Sequence, residues 1–249
     1  MKIVYLVMSP MDPNEIARRG ELLKKWASPG VDVDIRAVST GPSSIESLYE
    51  EYLCIPEAAR EIFRLEKEGY DGAIIGCADD PGLFAMREIT SRMVIVGPGE
   101  SSIHLAAMLG HRFSILAPLD NAVNQLHALA YRAGGESKLA SVRSIDLAVL
   151  DLAQDRSITV DKIIHEGKEA IEMDRADTLI LGCMSLGFLD MAKEIQEALN
   201  IPVINPCMAA LKVAEAMVGS GLTHSKRAFR LPPKLASGKV SSLDELLID

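Results

Sequence analysis

Two cysteines stand at the same kind of position, each at the end of an apolar, strand-like run. Cys77 ends "YDGAIIGC" (70–77), and Cys183 ends "ADTLILGC" (176–183). A thiolate can act as a general base and a thiol as a general acid, because the thiol pKa lies within reach of neutral pH. Two such groups on opposite faces of a carbon acid could remove a proton from one face and return one to the other. We therefore predict that Cys77 and Cys183 are catalytic.

A polar turn and a predicted helix follow each cysteine. Unsatisfied N–H groups at a helix start favour negative charge, so we expect them to lower the thiol pKa from about 8.5 toward neutrality. Such N–H groups can also stabilise an enolate without a metal or a cofactor. The alternative is that both cysteines are small buried hydrophobic residues, which is the usual fate of a free cysteine. Their matched positions favour catalysis.

An internal repeat relates the two halves of the chain. The two cysteine segments match at an offset of 106 residues. "MVIVGP" (93–98) matches "IPVINP" (201–206), and "SPMD" (9–12) matches "APLD" (117–120), both at an offset of 108. Several matches at nearly one offset indicate two similar lobes. We place the first lobe at 1–98 and 207–249 and the second at 99–206.

Short β-branched runs alternate with longer amphipathic segments along the chain, which is typical of parallel β-α-β units. The predicted fold is α/β, with two similar lobes related by a pseudo-twofold axis and a cleft between them. Each lobe has a mainly parallel sheet flanked by helices, and Pro56 should split the helical stretch 44–68 in two. Strands are predicted near 2–7, 32–38, 71–76, 93–97, 112–117, 141–146, 178–182 and 202–205. Helices are predicted near 13–27, 44–54, 57–68, 83–91, 100–109, 121–133, 158–175, 186–199 and 207–219.

Ligands of parallel α/β sheets bind outside the carboxyl ends of the strands. The loops at those ends should therefore line the cleft and hold the substrate. Asp79 and Asp80 could instead form a turn or cap a helix beside Pro81. Cys207 also lies at a helix start, but its repeat mate is Gly99, so we interpret it as structural. The predicted substrate-binding residues are Ser9, Pro10, Ala78, Asp79, Gly97, Ala117, Pro118, Met184 and Ser185.

The composition limits the possible partners. Hydrophobic residues make up 48% of the 249 residues, charged residues 24%, and the net charge is −9. This acidity argues against a nucleic-acid partner, which needs a concentrated basic surface. The first apolar run, "KIVYLV", is too short for a signal core or a membrane span, so a cytoplasmic location and no membrane association are expected. The four cysteines lack C-x-x-C spacing and the histidines lack H-x-x-x-H spacing, so no metal site is expected.

The chain resembles, over nearly its whole length, the aspartate/glutamate/hydantoin racemase superfamily, and within it the hydantoin and allantoin racemase branch, and five segments carry the resemblance. "GCADDPGLFAMRE" (76–88) and "LGCMSLGF" (181–188) are similar to its two cysteine motifs. "GPSSIESLYEE" (41–51), "GPGESSIHLAAMLGHRFSIL" (97–116) and "IPVINPCMAALKVAEAMVGSGLTHSK" (201–226) resemble further segments.

The resemblance implies a racemase that works without a cofactor and uses Cys77 and Cys183 as its two bases. The implied substrate is a small cyclic ureide, such as a 5-substituted hydantoin or allantoin. The sequence departs from the branch at 8–11, where Met-Ser-Pro-Met replaces a turn of the Asn-Pro-Asn-Thr type, at Asp79, where the branch usually has Gly, and at 184–186, where Met-Ser-Leu replaces Ala-Gly-Met. A homo-oligomer is possible.

Two other functions stay open at this point. The first is an amino-acid racemase with the same fold, although in such members Asn-Thr or Thr-His usually follows each cysteine, which is not the case here. A decarboxylase or a cis-trans isomerase of the superfamily is a less favoured alternative. The second is a protein that binds a small ligand without turning it over, which the altered loop at 8–11 would allow.

Overall fold

The computed structural model describes residues 1–246, in which eight strands form two four-stranded parallel sheets. All eight lie where the β-branched runs predict them, and they are short because polar turns follow the apolar runs closely. The first sheet holds β1 (Lys2–Val7), β2 (Asp32–Ala37), β3 (Gly72–Ile75) and β4 (Val94–Val96). The second holds β5 (Phe113–Ala117), β6 (Leu139–Ser144), β7 (Thr178–Leu181) and β8 (Val203–Ile204).

The two sheets repeat one topology. Their strand orders are β2-β1-β3-β4 and β6-β5-β7-β8, so the first strand of each sheet lies between the second and the third. Equivalent backbone bonds recur: the Gly76 N–H donates to the Leu6 carbonyl at 2.8 Å, and the Gly182 N–H donates to the Leu116 carbonyl at 2.8 Å. The predicted α/β fold with two mainly parallel sheets flanked by helices is confirmed.

Ten α-helices flank the sheets in the described part of the chain, and several begin at a side-chain cap. Asp12, Ser47, Asp155 and Asn205 accept backbone N–H groups of the first turn of their helices. In chain order the helices are α1 (Pro13–Trp26), α2 (Leu48–Lys67), α3 (Leu83–Ile89), α4 (Pro98–Leu109), α5 (Val123–Arg132), α6 (Arg156–Glu172), α7 (Met184–Phe188), α8 (Ala192–Leu199), α9 (Pro206–Gly219) and α10 (Pro233–Ala236).

Helices α4 and α9 cross from one sheet to the other. Helix α4 follows β4 of the first sheet but packs against β5, β7 and β8 of the second, whereas α9 follows β8 and packs against β3 and β4. The two helices also contact each other. This packing agrees with lobe boundaries near 98 and 206, which stay our proposal for the division of the chain.

Each sheet is covered on both faces by apolar side chains. Fully buried residues of β3 point alternately to two clusters, with Ile74 packed among Tyr5 and Phe188 and Ile75 packed among Met8 and Leu83. Burial of each such side chain contributes about 1.5–3 kcal/mol, so these strands hold the site at their carboxyl ends rigidly. None of the helices in residues 1–246 combines the length and apolar character that crossing a bilayer requires.

The prediction that Pro56 splits a helix is wrong, because α2 is continuous through it. Pro56 lies on the exposed face of α2, so the Tyr52 carbonyl that loses its N–H partner can be hydrated. Cys54, Ala58 and Ile62 anchor the opposite face in the core on both sides of the proline. Tertiary packing therefore outweighs the local cost of proline.

Candidate active site

A glycine precedes each of the two cysteines and brings the chain close to the neighbouring strand. A Cβ atom on Gly76 would lie 2.3 Å from the Leu6 carbonyl oxygen, and one on Gly182 would lie 2.8 Å from that of Leu116. Both distances are too short for a side chain, so only glycine allows the backbone to turn there. Cys77 and Cys183 thus leave equivalent strands, β3 and β7, at equivalent points.

Both thiols line one cavity of about 340 Å³ at the carboxyl ends of the strands. This volume lies within the range of small-molecule pockets. The lining comes from the loops after β1, β2 and β3, from those after β5, β6 and β7, and from α1. Its apolar side chains include Met8, Met11, Ile45, Leu119, Val149, Leu150, Leu152 and Leu189, and its charged ones include Asp12, Glu15, Arg18, Arg19, Glu46 and Asp79.

Most of the predicted binding residues also line this cavity, together with both cysteines. They are Ser9, Pro10, Ala78, Asp79, Pro118, Met184 and Ser185. Within residues 1–246 the lining does not include Gly97 or Ala117. Ala117 is fully buried in the core of the second sheet. Gly97 instead packs against Asp80, because a Cβ atom there would lie 2.4 Å from an Asp80 carboxylate oxygen.

The polar turn and the helix that the sequence predicts after Cys77 are both present, but the turn separates the thiol from the first turn of the helix. Two residues with positive φ, Asp80 at 56° and Gly82 at 69°, form a turn that delays α3 until Leu83. The predicted fall of its pKa is wrong, since burial raises the pKa of Cys77 well above its ordinary value and the charge of Asp79 raises it further. The backbone N–H of Asp79 partly opposes this rise in pKa.

Cys183 stands directly before α7, near the N–H groups of its first turn. Burial raises the pKa of this thiol too, but the N–H groups of Leu186 and Ser185, the cation of Arg19 and the Ser185 hydroxyl all lower it. The predicted fall below the ordinary value is therefore wrong here as well. The helix-start effect exists at Cys183, and loss of hydration outweighs it.

Asp79 belongs to a pair of buried carboxyl groups next to Cys77. The carboxyl group of Glu51 in α2 lies near that of Asp79, and one Asp79 oxygen is buried without a partner. Burial raises the pKa of both groups, and the nearby cation of Arg132 opposes this rise. Asp79 also lines a second cavity of about 230 Å³, which Glu51 borders, so the pair separates the two cavities.

Asp80 has a structural role, one of the two alternatives that the sequence left open for it. Its carboxylate is buried and accepts the N–H groups of Gly99 at 2.9 Å and Glu100 at 2.7 Å, which belong to the first turn of α4. Gly97 at the cap of this helix has no side chain to do so. Burial raises the pKa of Asp80 to about 7.

Arg19 and Glu46 are functional candidates that the sequence analysis missed. Arg19 is buried at the cavity wall, where it donates to Glu15 at 2.7 Å and to the Ser185 hydroxyl at 3.3 Å. Glu46 accepts the Val149 N–H at 2.7 Å and joins the loops after β2 and β6. In sequence, Arg19 looks like an ordinary charge of an amphipathic helix, and no local pattern indicates its neighbours.

The two remaining cysteines lie outside this lining. Cys54 and Cys207 are fully buried, and burial raises the pKa of Cys54 to about 12. Cys207 packs under α7, where its thiol contacts the Met184 carbonyl at 3.4 Å. The thiols that reach the 340 Å³ cavity are therefore the two that the repeat singles out.

Two parallel sheets of one topology, with a matched cysteine after the third strand of each, define a duplicated α/β protein with a two-thiol site. The family model described as "Asp/Glu/Hydantoin racemase" matches residues 19–214. The chain belongs to this family, which confirms the resemblance seen in the sequence.

Named relatives agree with this assignment. The chain is 39% identical to a hydantoin racemase of Pseudomonas sp. (strain NS671), over 82% of each chain. It is 35% identical to a hydantoin racemase of Paenarthrobacter aurescens, over 76% of this chain and 79% of the relative. The solved structure of an allantoin racemase from Klebsiella pneumoniae is similar with a TM-score of 0.88 and 27% identity, over 99% of this chain and 98% of that one.

Proposed function

We propose that this protein is a racemase of a five-membered cyclic ureide, such as a 5-substituted hydantoin or allantoin, and that it works without a cofactor. Cys77 and Cys183 are its two acid–base groups, and the cavity that they line is the active-site cleft. The observation that carries this proposal is that both repeat-matched thiols reach one cavity. The named relatives support the substrate class, since they are racemases of hydantoins and of allantoin.

The reaction follows from the chemistry of the two thiols. The thiolate of one cysteine removes the proton from the ring carbon next to the carbonyl, and the electron pair of the broken C–H bond is delocalised into the carbonyl as an enolate. The thiol of the other cysteine then gives its proton to the opposite face of that carbon. After one turnover the two cysteines have exchanged protonation states and the stereocentre is inverted.

The cavity also suits the shape of such a substrate. Its lining includes polar groups beside the thiols in the chain, Asp79 and Ser185, while Met11, Ile45, Leu119 and Leu150 supply apolar surface for a ring substituent. Ser9 and Pro10 line the wall where the family resemblance implies a substrate-holding turn. We propose that these two residues, with Ala78, Asp79, Pro118, Met184 and Ser185, contact the ring.

The test is a racemisation screen with single enantiomers of 5-substituted hydantoins, allantoin and free amino acids, followed by chiral chromatography. Cys77→Ser and Cys183→Ser should each lower racemisation by about 10²–10⁴, the usual contribution of a general acid or base. Cys54→Ala is the matched control, since it removes a thiol outside the cavity lining and should keep the activity. Racemisation that survives loss of either cavity thiol refutes the mechanism. Turnover of free amino acids alone refutes the substrate class.

A further inference from the structure

The side chain of Asn205 joins α9 to α7, the short helix that begins after Cys183. Asn205 is buried at the cap of α9, and its Oδ1 atom accepts the N–H groups of Cys207 at 2.9 Å and Met208 at 3.3 Å. Because the oxygen is engaged in this cap, the amide nitrogen faces the other way. It donates to the Gly187 carbonyl at 2.9 Å. One side chain therefore caps α9 and binds α7.

Two hydrogen bonds connect Asn205 to the backbone of Cys183. The first runs from the Asn205 amide to the Gly187 carbonyl, and the second runs from the Gly187 N–H to the Cys183 carbonyl at 3.2 Å. The Gly187 carbonyl also accepts the Asp190 N–H at 3.2 Å, but that bond stays within the segment after Cys183. The bond from Asn205 is therefore the one that anchors this carbonyl to α9.

Helix α7 depends on such contacts for its position. It has five residues, and a helix this short is not stable by itself. It lies directly on the start of α9, since a Cβ atom on Gly187 would be 2.7 Å from Asn205 Oδ1 and 2.7 Å from Cys207 Sγ. The Cys207 thiol also contacts the Met184 carbonyl at 3.4 Å, although a thiol is a weak donor. The Asn205 amide is thus the stronger polar contact between the two helices.

The first half of the chain joins the equivalent segments through a different residue. Asp80, three residues after Cys77, accepts the N–H groups of Gly99 and Glu100 in the first turn of α4. Helix α4 follows β4 as α9 follows β8. In each half, the segment after the cysteine is thus bonded to the start of the helix that crosses to the other sheet. Both halves keep this connection with different chemistry, which indicates a shared requirement for the position of the cysteine.

We propose that Asn205 is a positioning residue for the Cys183 thiol. Its amide holds α7 on the start of α9, and α7 fixes the direction in which Cys183 enters the cavity. The inference rests on the proposed function for its catalytic consequence: proton transfer at Cys183 depends on Asn205, whereas proton transfer at Cys77 does not.

Two variants remove the donor and keep the helix cap. Asn205→Asp has nearly the same shape, and its carboxylate accepts the N–H groups of α9 but cannot donate to Gly187. Asn205→Ser also caps a helix, carries no charge and is too short to reach Gly187. An effect common to both variants is therefore due to the lost donor and not to a new charge. Asp155→Ser is the matched control, because it changes the exposed cap of α6 in the same way.

The first measurement is the exchange of the ring hydrogen of each hydantoin enantiomer in heavy water, by proteins that keep one cavity thiol. Each Asn205 change is placed in the Cys77→Ser protein, which keeps Cys183, and in the Cys183→Ser protein, which keeps Cys77. Exchange by Cys183 should fall by about 10- to 100-fold, as expected for a thiol displaced by about 1 Å, and exchange by Cys77 should stay within about twofold. A purely structural role would lower both rates alike. Equal losses, or no loss at Cys183, overturn the proposal.

The second measurement needs no turnover. It compares the rates at which iodoacetamide alkylates Cys77 and Cys183 in the otherwise wild-type protein, by mass spectrometry of the two separate peptides. Loss of one buried hydrogen bond should make local opening of α7 about two- to tenfold more frequent, so Cys183 should react faster by that factor and Cys77 at its wild-type rate. An unchanged Cys183 rate, or an equal rise at both thiols, overturns the proposal.

The two measurements together separate this inference from the proposed function. If none of the proteins exchanges a hydantoin or allantoin, the proposed function is refuted, and the alkylation rates decide on Asn205. If the wild-type protein racemises hydantoins and the Asn205 variants change neither exchange nor alkylation at Cys183, the positioning role alone is refuted.

Discussion

Gly97→Ala should destabilise the protein strongly, although the backbone of Gly97 suits any residue. Gly97 has φ −88° and ψ 124°, which is ordinary extended backbone. The added Cβ atom would lie 2.4 Å from an Asp80 carboxylate oxygen and 2.7 Å from a methyl carbon of Leu83. Asp80 must move to relieve this contact. It would then lose its hydrogen bonds with the Gly99 and Glu100 N–H groups.

The magnitude follows from two separate costs. Forcing a methyl group into a filled core costs about 1–3 kcal/mol. A hydrogen bond to a charged group contributes about 1.5–3 kcal/mol, and the displacement of Asp80 puts at least one at risk. Because the two costs relieve each other in part, we expect a loss of about 3 kcal/mol in the free energy of unfolding.

The assay is urea denaturation followed by circular dichroism, with Gly219→Ala as the matched control. A Cβ atom on Gly219 would meet only the end of the Met1 side chain, at 3.5 Å, and Gly219 is the last residue of α9. That change should leave stability within about 1 kcal/mol of wild type, in the stabilising direction. Differences in the free energy of unfolding are additive to within about 0.5 kcal/mol. If the unfolding free energies of Gly97→Ala and Gly219→Ala differ by less than about 0.5 kcal/mol, the close approach of Gly97 to Asp80 is refuted.

Two further changes test other parts of the structure. Pro56→Ala should stabilise the protein by about 1–2 kcal/mol, because it restores a hydrogen bond to the Tyr52 carbonyl on an exposed helix face. A lower urea concentration at the midpoint of unfolding would contradict this. His224 is buried and accepts the Ile95 N–H at 2.8 Å, and burial and the cations of Arg87 and Lys226 lower its pKa to about 4. The stability that neutral His224 contributes to the fold is therefore complete above pH 6.5, the ordinary pKa of histidine, and is lost as pH falls toward 4. After allowance for screening this amounts to about 2 kcal/mol, and His224→Gln should flatten that part of the stability–pH curve, whereas an unchanged slope would refute the assignment.

Local pattern was enough to predict the fold class and the position of the two thiols after equivalent strands. Apolar β-branched runs located all eight strands, and the repeat indicated that Cys77 and Cys183 follow equivalent strands. Parallel sheets place such loops at one edge, so seven of the nine predicted binding residues line the cavity. Gly97 does not, because its role is set by the distant Asp80, which no spacing in the sequence reveals.

The errors share one physical cause, which is long-range packing. Pro56 is tolerated because Cys54 and Ala58 hold α2 in the core. The thiol pKa values rise because burial removes hydration, a quantity that a helix-start argument leaves out. Arg19 and Glu46 escaped notice because their partners, Ser185 and Val149, lie far away in the sequence and meet them only when the chain folds.

The most direct test of the two-thiol mechanism is deuterium incorporation at the stereocentre of a single hydantoin enantiomer in heavy water. The wild-type protein should incorporate deuterium as it inverts the centre. Each Cys→Ser variant should lose inversion, while the thiol that remains still exchanges the hydrogen of the one enantiomer that faces it. Cys77→Ser should therefore exchange one enantiomer and Cys183→Ser the other. Inversion in either variant, or exchange of the same enantiomer by both, would contradict catalysis by opposed thiols.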